Sequence, residues 1–370
     1  MRSLVSFVRI DKVSPVEDSD RLDVAQVGGW KIVTKRDEFK PGDLAVYFEI
    51  DSFIPACDTF DFLRKNSFKV YNGHEGYRLR TIKLRGQVSQ GLLVPVSTLL
   101  DFGTLTEFEF KPFGKDVIVK VEEGEDLTEA LGVVKYDLEV VMNSGGPNRS
   151  KPAGTFPSFI VKTDETRIQD PKMVKNVMKF LSKNPKSTWY ATSKLDGSSI
   201  TIYKRDDHVG VCSRNQELID EPGSAFWRVA REVGLIDFVA NYPRNIALQG
   251  ELVGPGIQSN RLKLQKNDIY IFSAFDIDNF EYFTGYLLKG LIKLANDNGY
   301  KNIKMVPVIE PWFQLPDNKE DLLSFCEKLA ERTSPIAEGD PQEGVVIRPI
   351  FNNDISFKFI SPSYLLKHGI

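Results

Sequence analysis

Cysteine and histidine are both scarce in this sequence, with three of each. The cysteines are far apart along the chain, at Cys57, Cys212 and Cys326. This spacing suggests neither a disulfide framework nor a zinc site, and it favours a reducing, intracellular setting. The histidines lie in unrelated contexts, at His74, His208 and His368. A histidine triad or histidine-based metal site is therefore not expected, and surface or hydrogen-bonded roles are the simpler interpretation.

Long apolar runs and an excess of positive charge are also missing. No apolar run approaches the ~20 residues of a membrane helix, and the opening "MRSLVSFVRIDKV" is too short and too polar for a secretory signal. No membrane partner is therefore expected. Lysine and arginine number 48 against 51 acidic residues, so a nucleic acid would have to meet a local basic patch. The Walker sequence Gly-x4-Gly-Lys-Ser/Thr is absent, which argues against a P-loop kinase.

The length and the pattern of apolar runs predict two domains. A chain of 370 residues with 41% apolar residues can form two cores. Residues 1–142 contain short β-branched or aromatic runs between turns, which predicts a small β-barrel or sandwich: "SLVSFVRI", "WKIVTKR", "LAVYFEI", "YRLRTIKLRG" and "GLLVPVS". Residues 143–158, "NSGGPNRSKPAGTFPS", are rich in Gly, Pro, Ser and Asn and are predicted to be a linker.

Helical and strand patterns alternate in residues 159–370. Asp170 and Pro171 form a helix start, as an N-cap and a first-turn proline. Three more amphipathic helices are predicted at "SAFWRVAREVG", "GYLLKGLIKLANDNG" and "KEDLLSFCEKLAER". The strand candidates are "NIALQGELV", "DIYIFSAFDI", "EGVVIRPI" and "ISFKFI". The prediction for this half is an α+β domain with antiparallel sheets and flanking helices.

The segment "WYATSKLDGSSITIYKRDD" places Lys194 and Asp196 at the junction of two predicted strands. A free lysine has a pKa near ~10.4, so a nucleophilic lysine must first lose its proton. An attacked phosphate also needs its charge neutralised, most simply by a divalent metal on carboxylates. A reactive Lys194 therefore predicts acidic and basic side chains at strand ends around one cleft.

The second domain contains such charged and polar residues near strand ends: Glu251 in "LQGELVGPGIQ", Asp276 and Glu281 in "AFDIDNFEYF", Glu343 in "PQEGVVIRP", Lys358 in "ISFKFIS", and Arg214 and Asn215 in "CSRNQEL". Taken singly, each has a simpler explanation. Asp196-Gly197 reads as a hairpin turn, Glu251 as a surface charge, and Lys358 as a side chain whose stem alone is buried. Their order and contexts together favour a shared site.

That order resembles motifs I, Ia, III, IIIa, IV and V of the covalent nucleotidyltransferases, which comprise DNA ligases, RNA ligases and mRNA-capping enzymes: "SKLDGSS", "SRN", "QGELVGPG", "YIFSAFDI", "EGVVIRP" and "SFKFIS". The resemblance covers residues 155–368. The segments "FIVKTDETRIQD" and "ELVGPGIQ" resemble RNA ligases in particular. A β-rich module before the motifs, with little after motif V, is similar to RNA ligase family five, nick-sealing enzymes with an N-terminal OB-fold domain.

The resemblance implies a reaction and a role for each matching residue. Lys194 would attack the α-phosphate of ATP to form lysyl-AMP, and AMP would then pass to the 5′-phosphate of a nick. The implied roles are metal binding (Mg²⁺ or Mn²⁺) by Asp196, Glu281 and Glu343, ribose contact by Glu251, adenine stacking by Phe272, α-phosphate binding by Lys358, nucleotide binding by Arg214 and Asn215, and phosphate or nick contacts by Arg167 and Gln169. Many members have two lysines in motif V, and here the first is Ser356. Lys358 therefore carries that assignment alone, and Arg167 or another cation is expected to assist with pyrophosphate.

The N-terminal module has a concentration of positive charge in "EGYRLRTIKLRGQ", at Arg78, Arg80, Lys83 and Arg85. The apolar residues of this segment change parity, which predicts a bulge in the strand. The charges fit a stripe that binds a nucleic-acid backbone, as OB folds use. A solvated edge strand that discourages aggregation explains them equally well.

The resulting prediction is an ATP-dependent RNA ligase that acts as a monomer on a nick in duplex RNA or an RNA–DNA hybrid. A DNA ligase or a capping guanylyltransferase is the alternative enzyme. The non-enzyme alternative is an OB-type nucleic-acid-binding protein with an inactive nucleotidyltransferase fold.

Overall fold

The computed structural model of the protein describes residues 3–137, 150–300 and 302–370. These residues form two compact units. Unit 1 contains residues 3–137, Ile168–Lys175 and Pro362–Ile370, and unit 2 contains residues 150–167 and Asn176–Ser361. In the described ranges no helix has both the length and the apolar composition needed to cross a bilayer.

The described part of unit 1 is built mainly from short strands: Val5–Arg9 (β1), Lys12–Pro15 (β2), Leu22–Val27 (β3), Trp30–Lys35 (β4), Leu44–Phe48 (β5), Ser52–Pro55 (β6), Phe68–Tyr71 (β7), His74–Arg78 (β8), Thr81–Leu84 (β9), Gln87–Gln90 (β10), Leu92–Pro95 (β11), Gly103–Leu105 (β12), Glu109–Pro112 (β13), Val119–Lys120 (β14) and Val134–Lys135 (β15). Two 3-10 turns, Asp58–Leu63 and Val96–Asp101, and helix α1, Arg64–Ser67, lie between them. Burial alternates along β3 and β4, because successive side chains of a strand point to opposite faces. The inward side chains form an aromatic-rich core with Phe7, Phe48 and Phe110 fully buried.

The basic segment of unit 1 forms two strands rather than one bulged strand. β8 ends at Arg78 and β9 begins at Thr81, and the buried Leu79 between them exchanges backbone hydrogen bonds with the Asp51–Ser52 segment. This break accounts for the parity change that predicted a bulge. The Arg78 guanidinium lies 4.6 Å from the centroid of the Tyr136 ring and is partly buried. The remaining basic side chains of the segment, at Arg80, Lys83 and Arg85, are exposed.

The described part of unit 2 contains twelve strands: Pro152–Thr155 (β16), Trp189–Lys194 (β17), Ser198–Arg205 (β18), His208–Cys212 (β19), Gln216–Leu218 (β20), Ile246–Val253 (β21), Asp268–Asp276 (β22), Glu281–Tyr282 (β23), Lys304–Met305 (β24), Val308–Phe313 (β25), Gly344–Pro349 (β26) and Phe357–Ile360 (β27). One sheet has the order β16-β20-β19-β18-β21-β22-β23, with β24 beside β22, and a second has the order β25-β17-β26-β27. These pairs are antiparallel except β22–β24. The antiparallel sheets agree with the sequence prediction.

Helices flank the unit 2 sheets. They are α2, Pro171–Lys183, whose first residues belong to unit 1, then Ala225–Glu232 (α3), Leu235–Asn241 (α4), Gly285–Asp297 (α5) and Lys319–Ala330 (α6); Pro362–His368 (α7) belongs to unit 1. Asp170 Oδ1 accepts hydrogen bonds from the backbone N–H groups of Lys172 and Met173, so the predicted N-cap is present. The amphipathic faces of α3, α4 and α5 pack on the larger sheet and form the main core of unit 2.

Part of the predicted linker, 143–158, forms a strand. Residues 143–149 lie outside the described residues, whereas Pro152–Thr155 pair with β20 at the edge of the larger sheet. Proline is tolerated at a sheet edge, because its missing N–H faces away from the neighbouring strand. The composition that predicted a linker is therefore also compatible with an edge strand.

Candidate active site

Lys194 and Glu343 meet because of the register between two neighbouring strands. β17 ends at Lys194, whose partner on β26 is Gly344, and Glu343 directly precedes that glycine. Lys194 Nζ lies 2.7 Å from Glu343 Oε1, and the two side chains are 27% and 13% exposed. The ion pair is therefore largely removed from water. Two charges interact more strongly in the protein interior than at the surface.

Burial and neighbouring charge act in opposite directions on the Lys194 ammonium. Burial lowers the pKa of Lys194, but the carboxylates of Glu343, Glu251 and Asp196 together outweigh it, so its pKa is raised. Burial raises the pKa of Glu343, and Asp196 adds to this effect, whereas Lys194 opposes it. The charges of these three carboxylates thus favour the charged form of the amine.

The turn after Lys194 is held against the neighbouring strand β21. Gly197 N donates a hydrogen bond of 3.1 Å to Glu251 Oε1. A Cβ at Gly197 would lie 2.3 Å from the carbonyl oxygen of Leu252, so a larger residue would push the turn away from β21. The sequence Lys-x-Asp-Gly therefore brings Glu251 to the same cleft as Lys194.

Asp196 forms an ion pair that the sequence did not predict. Its Oδ2 lies 2.7 Å from Arg261 Nη1, and the two side chains are only 11% and 10% exposed. Arg261 belongs to the loop between β21 and β22, which also contributes a hydrogen bond from Gln258 Nε2 to the Gly197 carbonyl oxygen. A lone arginine in a polar loop carries no sequence signal of such a contact.

Two cations assigned to phosphate binding share one carboxylate. Asp164 Oδ1 lies 3.2 Å from Lys358 Nζ, and Asp164 Oδ2 lies 3.0 Å from Arg214 Nη2. Arg167 forms a parallel backbone bridge with Lys358, so the segment before α2 runs beside β27. Lys358 and Arg214 are therefore brought together, as two residues of one phosphate site would be. The segment "VKTDETR" was singled out by resemblance, but Asp164 was not.

Several predicted residues lie elsewhere. Glu281 is exposed and pairs with Asp276 of β22. Asp276 also pairs with Ile246, which begins β21, whereas Glu251 lies towards the other end of that strand. Five residues of strand separate these ends by roughly 17 Å, so the structure does not place Glu281 with the other proposed metal ligands. Asn215 is exposed, and its Oδ1 accepts a hydrogen bond from Lys162 Nζ.

Gln169 is a packing residue in the described structure. Its side chain is 1% exposed within unit 1, and its carbonyl oxygen accepts a hydrogen bond from Gly29 N. The predicted contact with a nick requires an exposure that this side chain does not have. The prediction for Gln169 came from the resemblance of "FIVKTDETRIQD" to an RNA ligase segment, and such a resemblance does not report the burial of a single side chain.

Phe272 and Ser356 line one cavity of about 190 Å³, together with Tyr190, Glu165 and Arg348. Ser356 Oγ donates a hydrogen bond to Glu165 Oε2, and Glu165 Oε1 lies 2.7 Å from Arg348 Nη2. The serine that replaces the first motif V lysine is thus a neutral donor to a carboxylate already paired with arginine. Lys194, Glu251 and Glu343 are not among the residues that line this cavity.

The described residues contain no group of three or more His, Cys, Asp or Glu side chains arranged to hold a metal ion alone. Near Lys194, however, Glu343 Oε2 is buried without a hydrogen-bond partner and keeps unused acceptor capacity. Mg²⁺ at sites that bind substrate phosphates is usually held by one or two carboxylates, several waters and the phosphates themselves. The carboxylates around Lys194 fit that kind of shared site.

Comparisons with known proteins show the family to which the chain belongs. A family model described as RNA ligase matches residues 187–360, and a model described as an OB-fold domain matches residues 4–96. Three solved structures of a Naegleria gruberi RNA ligase, each with a TM-score of 0.84 and 35% sequence identity, resemble the chain. They cover 99–100% of this chain and 99% of their own. The chain belongs to the RNA ligase family.

The Naegleria gruberi structures contain PPi, AMP with Mn, or ATP with Mn; the latter two are of substituted variants. No curated protein sequence matches the chain. Membership of the RNA ligase family and the fold class, an N-terminal OB-fold domain with an α+β ligase domain, are confirmed. The positions of Lys194, Glu251 and Glu343 all fall within the residues that the RNA ligase model matches.

Proposed function

We propose that this RNA ligase seals 3′-OH/5′-phosphate nicks in duplex RNA or RNA–DNA hybrids, with ATP and a divalent metal as cofactors. The observation that carries the proposal is the 2.7 Å contact between Lys194 and Glu343 inside a group of three carboxylates. The solved relatives with ATP, AMP and Mn support the choice of cofactors.

In the first step, Lys194 Nζ forms a bond to the α-phosphorus of ATP, and the bond to the leaving pyrophosphate oxygen breaks. Glu343, whose Oε1 lies 2.7 Å from Lys194 Nζ, is proposed to accept the proton of the amine. Lys358 and Arg214, which share Asp164, are proposed to bind the phosphates, with Arg167 beside them. Phe272 is proposed to stack on the adenine.

In the later steps, AMP passes from Lys194 to the 5′-phosphate of the nick, and the 3′-OH then displaces AMP. A divalent ion would neutralise phosphate charge in this site. We propose that Asp196 and Glu343 hold it together with waters and substrate phosphates, that Glu251 contacts the ribose, and that Glu281 is not a ligand. Nucleic acid is proposed to contact the exposed Arg80, Lys83 and Arg85 of the OB-fold domain. Domain limits of 1–142 and 159–370, a monomeric state and an intracellular location complete the proposal.

Incubation with labelled ATP and Mn²⁺ or Mg²⁺ tests the first step. The protein should become covalently labelled, and Lys194→Ala should abolish the label. A label that persists in Lys194→Ala would remove the central assignment, and labelling by GTP instead of ATP would indicate a capping enzyme.

A panel of nicked duplexes tests the substrate. RNA or DNA is placed independently on the 3′-OH, 5′-phosphate and template strands, and sealing is measured for each. Loss of sealing when only the 3′-OH strand is DNA supports the proposal. Equal sealing of all-DNA nicks would indicate a DNA ligase, and a folded protein without any adduct would indicate an inactive binder.

A further inference from the structure

Arg261 contacts the turn that carries the reacting lysine, and the proposed reaction leaves this arginine without a role. Its Nη1 lies 2.7 Å from Asp196 Oδ2, and both side chains are about nine-tenths buried. Asp196 is two residues from Lys194 and also acts on the pKa of Lys194 and of Glu343. The arginine therefore contacts the same turn that carries the nucleophile.

The loop that carries Arg261 is docked on this turn at several points. Leu262 is buried in a cluster that also contains Leu195 and Val253, so the residue next to Arg261 and the residue between Lys194 and Asp196 belong to one buried cluster. On the other side of Arg261, Asn260 exchanges two side-chain hydrogen bonds with the backbone of Leu264. These contacts define the position of the Arg261 backbone.

The backbone of this loop is also unusual. Gln258, Asn260 and Lys263 have φ values of 46°, 43° and 54°, in the left-handed region that residues other than glycine seldom adopt. Such conformations persist where surrounding contacts over-determine them, and they concentrate at functional sites. The Gln258 side chain uses this geometry to reach the Gly197 carbonyl oxygen.

We propose that Arg261 is a positioning residue for lysine adenylation that acts through Asp196; this role rests on the proposed function. Asp196 and Glu343 repel each other, and a guanidinium 2.7 Å from Asp196 offsets that repulsion. It also holds the carboxylate, and hence the Lys194–Gly197 turn, in one orientation. Removal of one partner from a buried pair leaves the other as an uncompensated charge, so the turn should shift.

The test compares single-turnover lysyl-AMP formation by the wild type, Arg261→Ala, Arg261→Lys and Lys266→Ala across a range of ATP concentrations. Lys266 is an exposed residue of the same loop. Its substitution also removes one positive charge from the loop but leaves the Arg261–Asp196 pair intact. We expect Arg261→Ala to lower the maximal rate about 10- to 100-fold, with the half-saturating ATP concentration within about threefold of the wild type. Arg261→Lys should recover part of the loss, and Lys266→Ala should behave as the wild type.

A second readout is independent of activity. Thermal unfolding of Arg261→Ala, Asp196→Ala and the double variant should show non-additive shifts in Tm, because the second substitution removes a pair that is already broken. If Arg261→Ala does not fold, Arg261→Lys provides the same comparison with the charge kept.

An unchanged maximal rate in Arg261→Ala would overturn the proposal. A variant in which only the half-saturating ATP concentration rises would also overturn it, because that result would mean that Arg261 binds ATP directly. Additive Tm shifts would also contradict it. A wild type that forms no lysyl-AMP would instead contradict the proposed function, and this role with it.

Discussion

Lys194 Nζ lies 2.7 Å from Glu343 Oε1, so the proposed nucleophile is paired with a carboxylate before it reacts. An ammonium ion cannot attack phosphorus, since its nitrogen has no free electron pair. We therefore expect the carboxylates near Lys194 to have two roles: to keep the amine in place and, for one of them, to take its proton.

The rate of adenylation should depend on pH. Burial lowers the pKa of Lys194, but three carboxylates raise this pKa by a larger amount. The charged form of the amine therefore predominates at neutral pH. Below this pKa, the neutral fraction increases about tenfold per pH unit. We expect kcat/KM for lysyl-AMP formation to rise with pH from about 6 to about 9, measured with labelled ATP at constant ionic strength. A flat profile over this range would show that the amine is already neutral.

Glu343→Gln should block adenylation without unfolding the protein. The substitution keeps the shape of the side chain but removes the charge that pairs with Lys194 and the proposed proton acceptor. We expect lysyl-AMP formation to fall at least about 100-fold, with an unchanged circular dichroism spectrum. Glu281→Gln is the matched control, because Glu281 is exposed and lies at the far end of the sheet. Equal losses in both variants would contradict the site as described.

Gly197→Ala should damage both stability and adenylation. The added Cβ would lie 2.3 Å from the Leu252 carbonyl oxygen, which is backbone and cannot rotate away. We expect the free energy of unfolding to fall by about 1–3 kcal/mol and the lysyl-AMP rate to fall with it. Gly223→Ala, whose Cβ would enter open space, serves as the control. Denaturant unfolding and adduct formation measure the two effects, and wild-type behaviour of Gly197→Ala would refute the close approach.

Asp164→Asn should strengthen the binding of pyrophosphate. Asp164 holds both Lys358 and Arg214, the two cations proposed to receive phosphates, so an incoming phosphate must compete with it. Because Asp164 is about half exposed, the gain should be modest, about fivefold or less, by titration calorimetry. Glu320→Gln, which removes an exposed acidic charge from the first turn of α6, controls for general charge effects. Weaker binding in Asp164→Asn would mean that Asp164 orients the two cations instead of competing for them.

The strand and helix patterns were predictable where the local signal was strong. The Asp170–Pro171 helix start, the amphipathic helices of the ligase domain and the antiparallel strands all follow from periodicity and capping residues. Glycine and proline in residues 143–158 predicted a linker, although Pro152–Thr155 pair as an edge strand. Composition reports local flexibility, but it does not report whether a neighbouring strand is available for pairing.

The order of short motifs along the chain resembles that of RNA ligases, and this resemblance singled out Lys194, Glu251 and Glu343 as candidate site residues. Only the tertiary structure decided which charged side chains meet. The strand register moves Glu281 to the far end of the sheet, and loop docking brings Arg261 to Asp196, across 65 residues of sequence. Ion pairs between distant segments depend on register and loop conformation, and neither leaves a periodic trace in the sequence.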